Sequence, residues 1–496
     1  MNKTYNETIV SVIENTLYDT GYCDYKEKYE LIKHVKYTMN MIFDGINQIL
    51  LYDITCNAIK KYLTPINFLD EEYEINDVDV PIEYLSILKH MEYLESLPQH
   101  EQKSPEWFAD REKCITASMC ANALNECYYP GSSKYDYLLD KCHQGPVFQE
   151  NVFVHHGKKY EQIATMFYEN IYDARTTEFG LIPHPSIYFL GASPDGICNQ
   201  YSMSYEFSSR LGRMLEIKCP KTRIIKTKGK IDGGICPHYY WCQVQQQLEC
   251  CDLECCDFWQ CQIEEYKTRE EWALDEEPME SCTEEQNVPI EYVPENIKKG
   301  CVIQLIEKDK LNNISEINND YYLWSAQYIY PPDLNMTTIE YNEWCAYVIS
   351  NFDEYEEPFY EKHGKHYVFD KIIYWKMVKA HNVSINRDKK WFENTLPKLQ
   401  SFWNEVEYYR LHEDLVKSYV DDQLLQIKEN KKNKKNKKNG VFVKTYAIDY
   451  EEDHFIDSDI IEDVNTKNDS DDCLFVSSED NNYDDDENNI NDKLFK

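Results

Sequence analysis

The chain has 496 residues, enough for two or three domains of ordinary size and for a sizeable buried core. It carries 52 Lys and Arg against 89 Asp and Glu, a formal net charge of −37. That excludes a simple cationic coat on nucleic acid and attachment to membranes by bulk charge, but not a nucleic-acid enzyme, because a local groove sets the field at a site.

The acid is unevenly spread: residues 441–496 hold 18 acidic and 4 basic side chains, leaving −23 for the rest. Aromatics make up 14%, with 41 Tyr, too many for a wholly disordered chain. No apolar run approaches the roughly 20 residues that span a bilayer. The opening MNKTYNETIV has no charged region leading into a long apolar stretch, so neither a membrane partner nor a secretory signal is expected. Nineteen irregularly spaced cysteines do not form a small disulfide scaffold, and an intracellular, reducing compartment fits them. Abundant Asn, Lys, Ile and Tyr point to an AT-rich coding genome.

In chain order, residues 1–65 show helical spacing (Ile9, Val12, Ile13, Leu17, then Ile42, Ile46, Leu50) and open a helical N-terminal extension, 1–100, with no catalytic constellation. An acidic loop at 70–80 precedes a helix from Pro81 to about Leu97. Ser104 then reads as an N-cap, with Pro105 at the first helical position. A helix carrying Trp107 and Arg111 leads to Ile115-Thr116-Ala117-Ser118, and a second helix runs from about Gly157 to Asn170. Strand-like runs follow at Thr177–Ile182, Ile187–Ala192 and Met214–Lys218, then a helix at Tyr239–Glu249 and a strand at Phe258–Ile263. This alternation reads as α/β.

Residues 266–300 are acidic and aperiodic, the start of an insertion spanning about 266–365. Strands are expected at Tyr321–Tyr330 and Tyr367–Met377. A helix is expected from about Asp388 to Leu411, with Trp391, Phe392, Leu396, Leu399, Phe402, Trp403 and Val406 facing the core. The folded domain, 104–411, is expected to stop near Val416. Residues 417–496 then form a basic linker (KKNKKNKKN at 431–439) and a disordered acidic tail. The lysines from Lys428 to Lys438 could touch DNA, serve nuclear import or be a solvated spacer. The tail, with Asp484-Asp485-Asp486-Glu487, could mimic DNA or recruit a basic partner.

The sharpest chemical signal is Ser193-Pro194-Asp195-Gly196 followed, after a nineteen-residue gap, by Glu216-Ile217-Lys218. Asp195 and Glu216 offer the hard oxygen donors that Mg²⁺ prefers. On a strand, Glu216 and Lys218 point to one face and Ile217 to the other, so the ammonium lies beside a metal-holding carboxylate while the Ile217 backbone carbonyl can complete the metal shell. Such a site can activate water and stabilise a departing oxygen, as phosphodiester hydrolysis requires. Taken alone the spacing is weak, since acid-x-Lys triplets are common in a chain that is 28% charged. Upstream stands His156-Gly157-Lys158-Lys159-Tyr160-Glu161, with Glu161 on the first turns of a helix. Downstream, Tyr240-Trp241-Cys242-Gln243-Val244-Gln245 opens another.

Each residue also has a bland reading. Glu161 could be a solvated first-turn acid, and Arg111 could pair with Asp110 or Glu112. Ser118 could cap a helix, and Gln243 could be exposed beside Gln245, Gln246 and Gln247. The cysteines from Cys250 to Cys261, with His238 and Cys242 nearby, invite a metal reading, but their spacing matches no usual zinc or iron–sulfur pattern, and small apolar packing is the reading we take. Cys219-Pro220 reads as strand termination.

In this order the motifs resemble the PD-(D/E)xK nuclease superfamily, and within it the lambda-exonuclease-like, YqaJ-type viral recombinase family. The similarity covers about residues 104–265 and resumes at Ile385-Asn386-Arg387-Asp388. It implies a restriction-endonuclease-like α/β core, a central mixed sheet flanked by helices. It also implies a two-metal-ion deoxyribonuclease of exonuclease type, using Mg²⁺ with Mn²⁺ able to substitute. Asp195, Glu216 and the Ile217 carbonyl would hold the metal, with Glu161 supporting a second ion or its water. Lys218 would polarise the nucleophilic water, and Gln243 would orient the lysine or the phosphate. Arg111 and Ser118 would grip the 5′ phosphate of the strand being degraded. The family further implies 5′→3′ action on double-stranded DNA ends, a role in recombination or genome processing, a single-strand-annealing partner and a ring-shaped homotrimer. Family and composition together suggest a large DNA virus, and hence the cytoplasm, nucleus or viral factory of an infected cell. Two rivals stay open: an endonuclease with the same triad, and a DNA-binding scaffold that has lost its chemistry.

Overall fold

A computed structural model describes residues 2–20, 28–43, 78–127, 133–146, 151–275, 299–313 and 325–441, with Leu51, Ile54, Thr55, Ala58 and Ile59. Ile46, Leu50, the stretch 70–77, residues 276–298 and 321–324 and the acidic tail from 442 lie outside the described residues.

Helices α1 (Asn2–Thr20) and α2 (Lys28–Ile42) bury Ile9, Ile13, Leu31, Ile32, Val35 and Met39, apolar positions three or four residues apart on one face of each helix. Helix α3 (Leu85–Ser96) lies within the segment expected to be helical and buries Met91 and Leu94. In α4 (Pro105–Arg111) the Ser104 hydroxyl accepts from the Trp107 N–H at 3.1 Å with Pro105 next in line, the cap read from sequence. Strand β1 (Ile115–Thr116), the one-turn α5 (Cys120–Ala123) and α6 (Lys134–Lys141) follow, the last opened by a Ser133/Asp136 capping box. The long α7 (Val152–Tyr172) is capped by Asn151, whose side chain accepts from the N–H groups of Phe153 and Val154.

Next come β2 (Thr176–Thr177), β3 (Ile182–Pro183), β4 (Leu190–Ala192), β5 (Gly196–Cys198) and β6 (Met214–Lys218), then α8 (His238–Cys251) and β7 (Cys255–Glu265). They are followed by α9 (Arg269–Leu274), β8 (Lys299–Glu307), β9 (Gln327–Ile329), α10 (Thr338–Ser350), α11 (Phe352–His363), β10 (Tyr367–Asn386), α12 (Lys389–Leu411) and α13 (Glu413–Val441). The main sheet runs β2-β5-β6-β7-β10-β8-β9. Among the described residues only the β6–β7 pair in it is parallel, with Glu216 opposite Phe258 and Lys218 opposite Gln260. Period-two alternation along β6 and β7 supplies two cores. Leu215, Ile217, Trp259, Cys261 and Ile263 meet Tyr160, Ile163 and Phe167 of α7, while Met214, Cys256 and Phe258 meet Tyr240, Val244 and Leu248 of α8. The result is α/β, a central mixed sheet with helices on both faces, as expected from sequence.

Three stretches differ from expectation. The run Thr177–Ile182 is not one strand, because β2 pairs with β5 in the main sheet and β3 with β4 in a small second sheet, β1-β4-β3. Between them side chains take over the backbone groups: Gln102 donates to the Phe179 carbonyl at 2.8 Å and the Gly180 N–H donates to Gln99 at 2.7 Å. A Cβ at Gly180 would stand 2.3 Å from the His100 carbonyl oxygen, so only glycine fits this approach.

The insertion, in turn, is partly structural. β8 and β9 extend the main sheet, and Trp272, Cys301, Ile303, Leu305 and Trp344 share one core with Ile9, Ile13, Leu31 and Val35 of α1 and α2. Finally, the segment read as a linker from 417 is helical through Val441. Val416 and Val420, one turn apart, are buried against the core that holds Phe402 and Val406, with Tyr419 and Leu424 partly covered beside them. Its lysines, glutamines and leucines are strong helix formers, which the low complexity of the run concealed.

Candidate active site

The Asp195 turn and the β6 strand meet. Asp195 stands directly before β5, and its Oδ2 accepts from the Ile217 N–H at 2.6 Å, joining the turn to the strand that carries the other two residues. Glu216 is buried, and both its oxygens are held. Oε1 accepts from Lys218 Nζ and from Gln243 Nε2 at 2.6 Å, while Oε2 accepts from Gln247 Nε2 at 2.6 Å. The Lys218 ammonium, 18% exposed, also lies 4.6 Å from the centre of the Tyr240 ring, a cation–π contact. Burial, with the Glu216 carboxylate beside it, pushes the Asp195 carboxyl well above the usual carboxylate range; Glu161 adds to this, and Lys218 and the Ile217 N–H oppose it. Ile217 points its side chain into the apolar core with Tyr160 and Trp259, as the strand period requires.

Glu161 is not a first-turn acid. Asn151 starts α7 earlier than the sequence suggested, leaving Glu161 in mid-helix, 41% exposed and 3.9 Å from Lys103 Nζ. Gln243 reaches Glu216, not the lysine. Arg111 does not pair with Asp110, whose carboxylate is taken by His100 and Lys113, each at 2.8 Å. Instead its guanidinium lies 4.3 Å from the centre of the Trp107 ring and donates to the Ser118 hydroxyl at 3.4 Å. Among the described residues no carboxylate forms an ion pair with it, and burial lowers its pKa from the ordinary arginine value. Ser118 makes no cap hydrogen bond; its other neighbour is the Thr116 hydroxyl at 3.4 Å. This pair is tied to the Asp195 turn by the Trp107 indole N–H, which donates to the Ser193 hydroxyl at 3.1 Å.

The glutamines of α8 are the residues that sequence reading missed. Gln247 holds Glu216. Gln246 donates to the carbonyls of Ile115 at 2.8 Å and Gly191 at 3.2 Å, and Gln245 bridges the Asn386 carbonyl and the Asp388 N–H. All are buried, so the helix is polar in composition and interior in place. Of the cysteines from Cys250 to Cys261, Cys250, Cys261 and the pair Cys251 and Cys256 enter three separate apolar clusters, while Cys255 faces Ser384 and Arg213; they form no common metal site among the described residues. Cys219 is likewise buried, against the Tyr160 carbonyl.

The residues present suit a divalent cation. Asp195 and Glu216 converge on a point where like charge raises a carboxyl pKa, and Asp195 Oδ1 has no hydrogen bond among the described residues. Hard oxygen donors with one open position are a Mg²⁺ set.

Residues 106–254 match the model of the YqaJ-like viral recombinase domain, a stretch that contains the whole Asp195, Glu216 and Lys218 arrangement. A curated relative, an uncharacterized protein of Acanthamoeba polyphaga mimivirus, is 38% identical over 331 residues, which are 67% of this chain and 57% of the relative. The chain thus spans little more than half the length of that protein. Two crystal structures of the alkaline exonuclease LHK-Exo from Laribacter hongkongensis, one in complex with dAMP, are similar at 16% identity over 65% of this chain and 100% of theirs, with a TM-score of 0.30. A likeness that distant says nothing about activity. Among the described residues no helix is long and apolar enough to cross a membrane.

Proposed function

We propose that the chain is a Mg²⁺-dependent DNA nuclease, an exonuclease that degrades duplex DNA from its 5′ ends in recombination or genome processing of a viral type. The observation that carries the reading is the meeting of Asp195, Glu216 and Lys218 at one point of the sheet, with Glu216 fixed by two glutamines. Asp195, Glu216 and the Ile217 carbonyl would hold the Mg²⁺, with Glu161 supporting it, and Mn²⁺ would substitute. Bound there, the ion supplies a Lewis acid for the phosphodiester and a means of activating water.

The protein's own groups do the rest. Gln243 and Gln247 hold the Glu216 carboxylate in one orientation, so its oxygens need no reorganisation when substrate arrives. The Lys218 ammonium donates toward the attacking water and the charge that builds on the phosphate. Arg111 and Ser118 offer N–H and O–H donors to a terminal 5′ phosphate, a task for which an unpaired guanidinium is suited. In-line attack leaves 5′-phosphate mononucleotides and a 3′ overhang, the substrate a single-strand-annealing partner would take. A ring-shaped homotrimer belongs to the same reading.

The test follows a 5′-phosphorylated linear duplex and a covalently closed circle in Mg²⁺. Loss of the linear duplex alone supports the exonuclease. Cutting of the circle replaces it with an endonuclease, and binding without cleavage replaces it with a scaffold. Arg111→Ala is expected to reduce the preference for 5′-phosphate over 5′-hydroxyl ends by about tenfold or more, the size of a charge-assisted hydrogen bond. Equal preference in wild type and variant would remove Arg111 from the role.

A further inference from the structure

Apart from the proposed nuclease site, three side chains of different chemistry converge where the loop after α5 meets the start of α8. His238 and Cys242 are four residues apart on α8 and share a face. Cys242 Sγ lies 3.5 Å from His238 Nε2, and Glu126 Oε2 lies 3.1 Å from the same nitrogen. One ligand atom from each residue falls within 4.8 Å of the others. On the far edge of the ring, His238 Nδ1 lies 2.7 Å from Asp232 Oδ1. Cys242 is buried, whereas His238 and Glu126 keep 27% and 28% of their side chains exposed, so an ion can reach the point they face.

The donor geometry points to what belongs there. A proton on Nδ1 shared with Asp232 leaves a lone pair on Nε2, the arrangement that orients metal-ligating histidines. That lone pair faces the Glu126 carboxylate oxygen at 3.1 Å and the Cys242 sulfur at 3.5 Å, so three donor atoms of different residues converge on one point. Glu126 Oε1 is already bonded to Lys398 at 3.1 Å, which leaves Oε2 for the ion. Thiolate, imidazole and carboxylate together form a borderline-soft donor set, unlike the all-oxygen set of Asp195 and Glu216.

We propose that Glu126, His238 and Cys242 bind a zinc ion, with solvent as the fourth ligand. The ion ties the loop after α5 to the first turns of the helix whose Gln243 and Gln247 hold Glu216. The site does not depend on the nuclease reading.

The experiment strips the full-length chain with a chelator and titrates it with Co²⁺. A thiolate-to-cobalt charge-transfer band in the near ultraviolet is expected, saturating near one equivalent and displaced by Zn²⁺. Oxygen-only ligands give no such band, so a Mg²⁺-type site cannot imitate it, and Asp195→Ala should leave it unchanged. Cys242→Ser should abolish the band with the circular dichroism spectrum intact. Glu126→Gln, at a solvent-accessible position, should weaken Co²⁺ binding at least about tenfold and so keeps the test readable if the serine variant misfolds. No band in the wild-type chain, a band that persists in folded Cys242→Ser, or unaltered affinity in Glu126→Gln would each overturn the site.

Discussion

Replacing Lys218 with alanine is expected to slow cleavage of duplex DNA by on the order of 10²–10³-fold in single-turnover measurements, with DNA affinity changed no more than a few-fold. The ammonium is 18% exposed, held between Glu216 and the Tyr240 ring, so it is preorganised and does not wander in solvent. A donor fixed in that way stabilises charge that appears only during reaction, so its loss falls on the rate and not on binding. The fold should survive, because Gln243 and Gln247 still satisfy both oxygens of Glu216. Lys218→Arg should restore little, since a longer, planar fork cannot set its charge where the compact ammonium meets the Glu216 oxygen. A rate within a few-fold of wild type would remove Lys218 from the chemistry.

The largest effect on stability is expected at Asp257, in the strand beside β6. Its carboxylate is fully buried and accepts from Arg210 and Arg213, each at 2.6 Å, and from the Tyr168 hydroxyl at 2.7 Å. Asp257→Ala leaves two guanidinium groups without their shared partner, a loss of about 3–5 kcal/mol for a buried pair. The arginines are 17% and 30% exposed, so solvent recovers part of their charge and the lower end of that range is expected. Urea unfolding should show the midpoint falling with little change in slope. A loss under about 1 kcal/mol would mean the network contributes no more than an exposed pair. Asp257 stands opposite Leu215 in the β6–β7 register, next to Glu216, so the same variant should also lower activity.

What the sequence made visible follows from the range of the interactions. Asp195, Glu216 and Lys218 were legible because a strand period and a turn place them by local geometry. Ser104 was legible as a cap for the same reason. Gln245, Gln246 and Gln247 were not, since a run of polar residues on a helix reads as solvent-facing until the strands that receive its hydrogen bonds are known. Strand β8 was hidden behind an acidic stretch that set the reading of its neighbourhood. Helix α13 was hidden by a lysine–asparagine repeat that reads as a spacer, although Val416 and Val420 dock it on the core. The cluster of Glu126, His238 and Cys242 depended on a contact across 112 residues, which no spacing rule detects.

The most direct measurement of the central claim is release of nucleotides from a linear duplex by wild type and by Asp195→Ala, with Mg²⁺ and with chelator. Asp195 joins the turn to β6 through the Ile217 N–H and offers Oδ1 to the ion, so it serves both the geometry and the metal. Release that requires Mg²⁺ and is lost in Asp195→Ala, with DNA still bound by the variant, is the predicted result. Release that persists in folded Asp195→Ala or in chelator would contradict the assignment of the site.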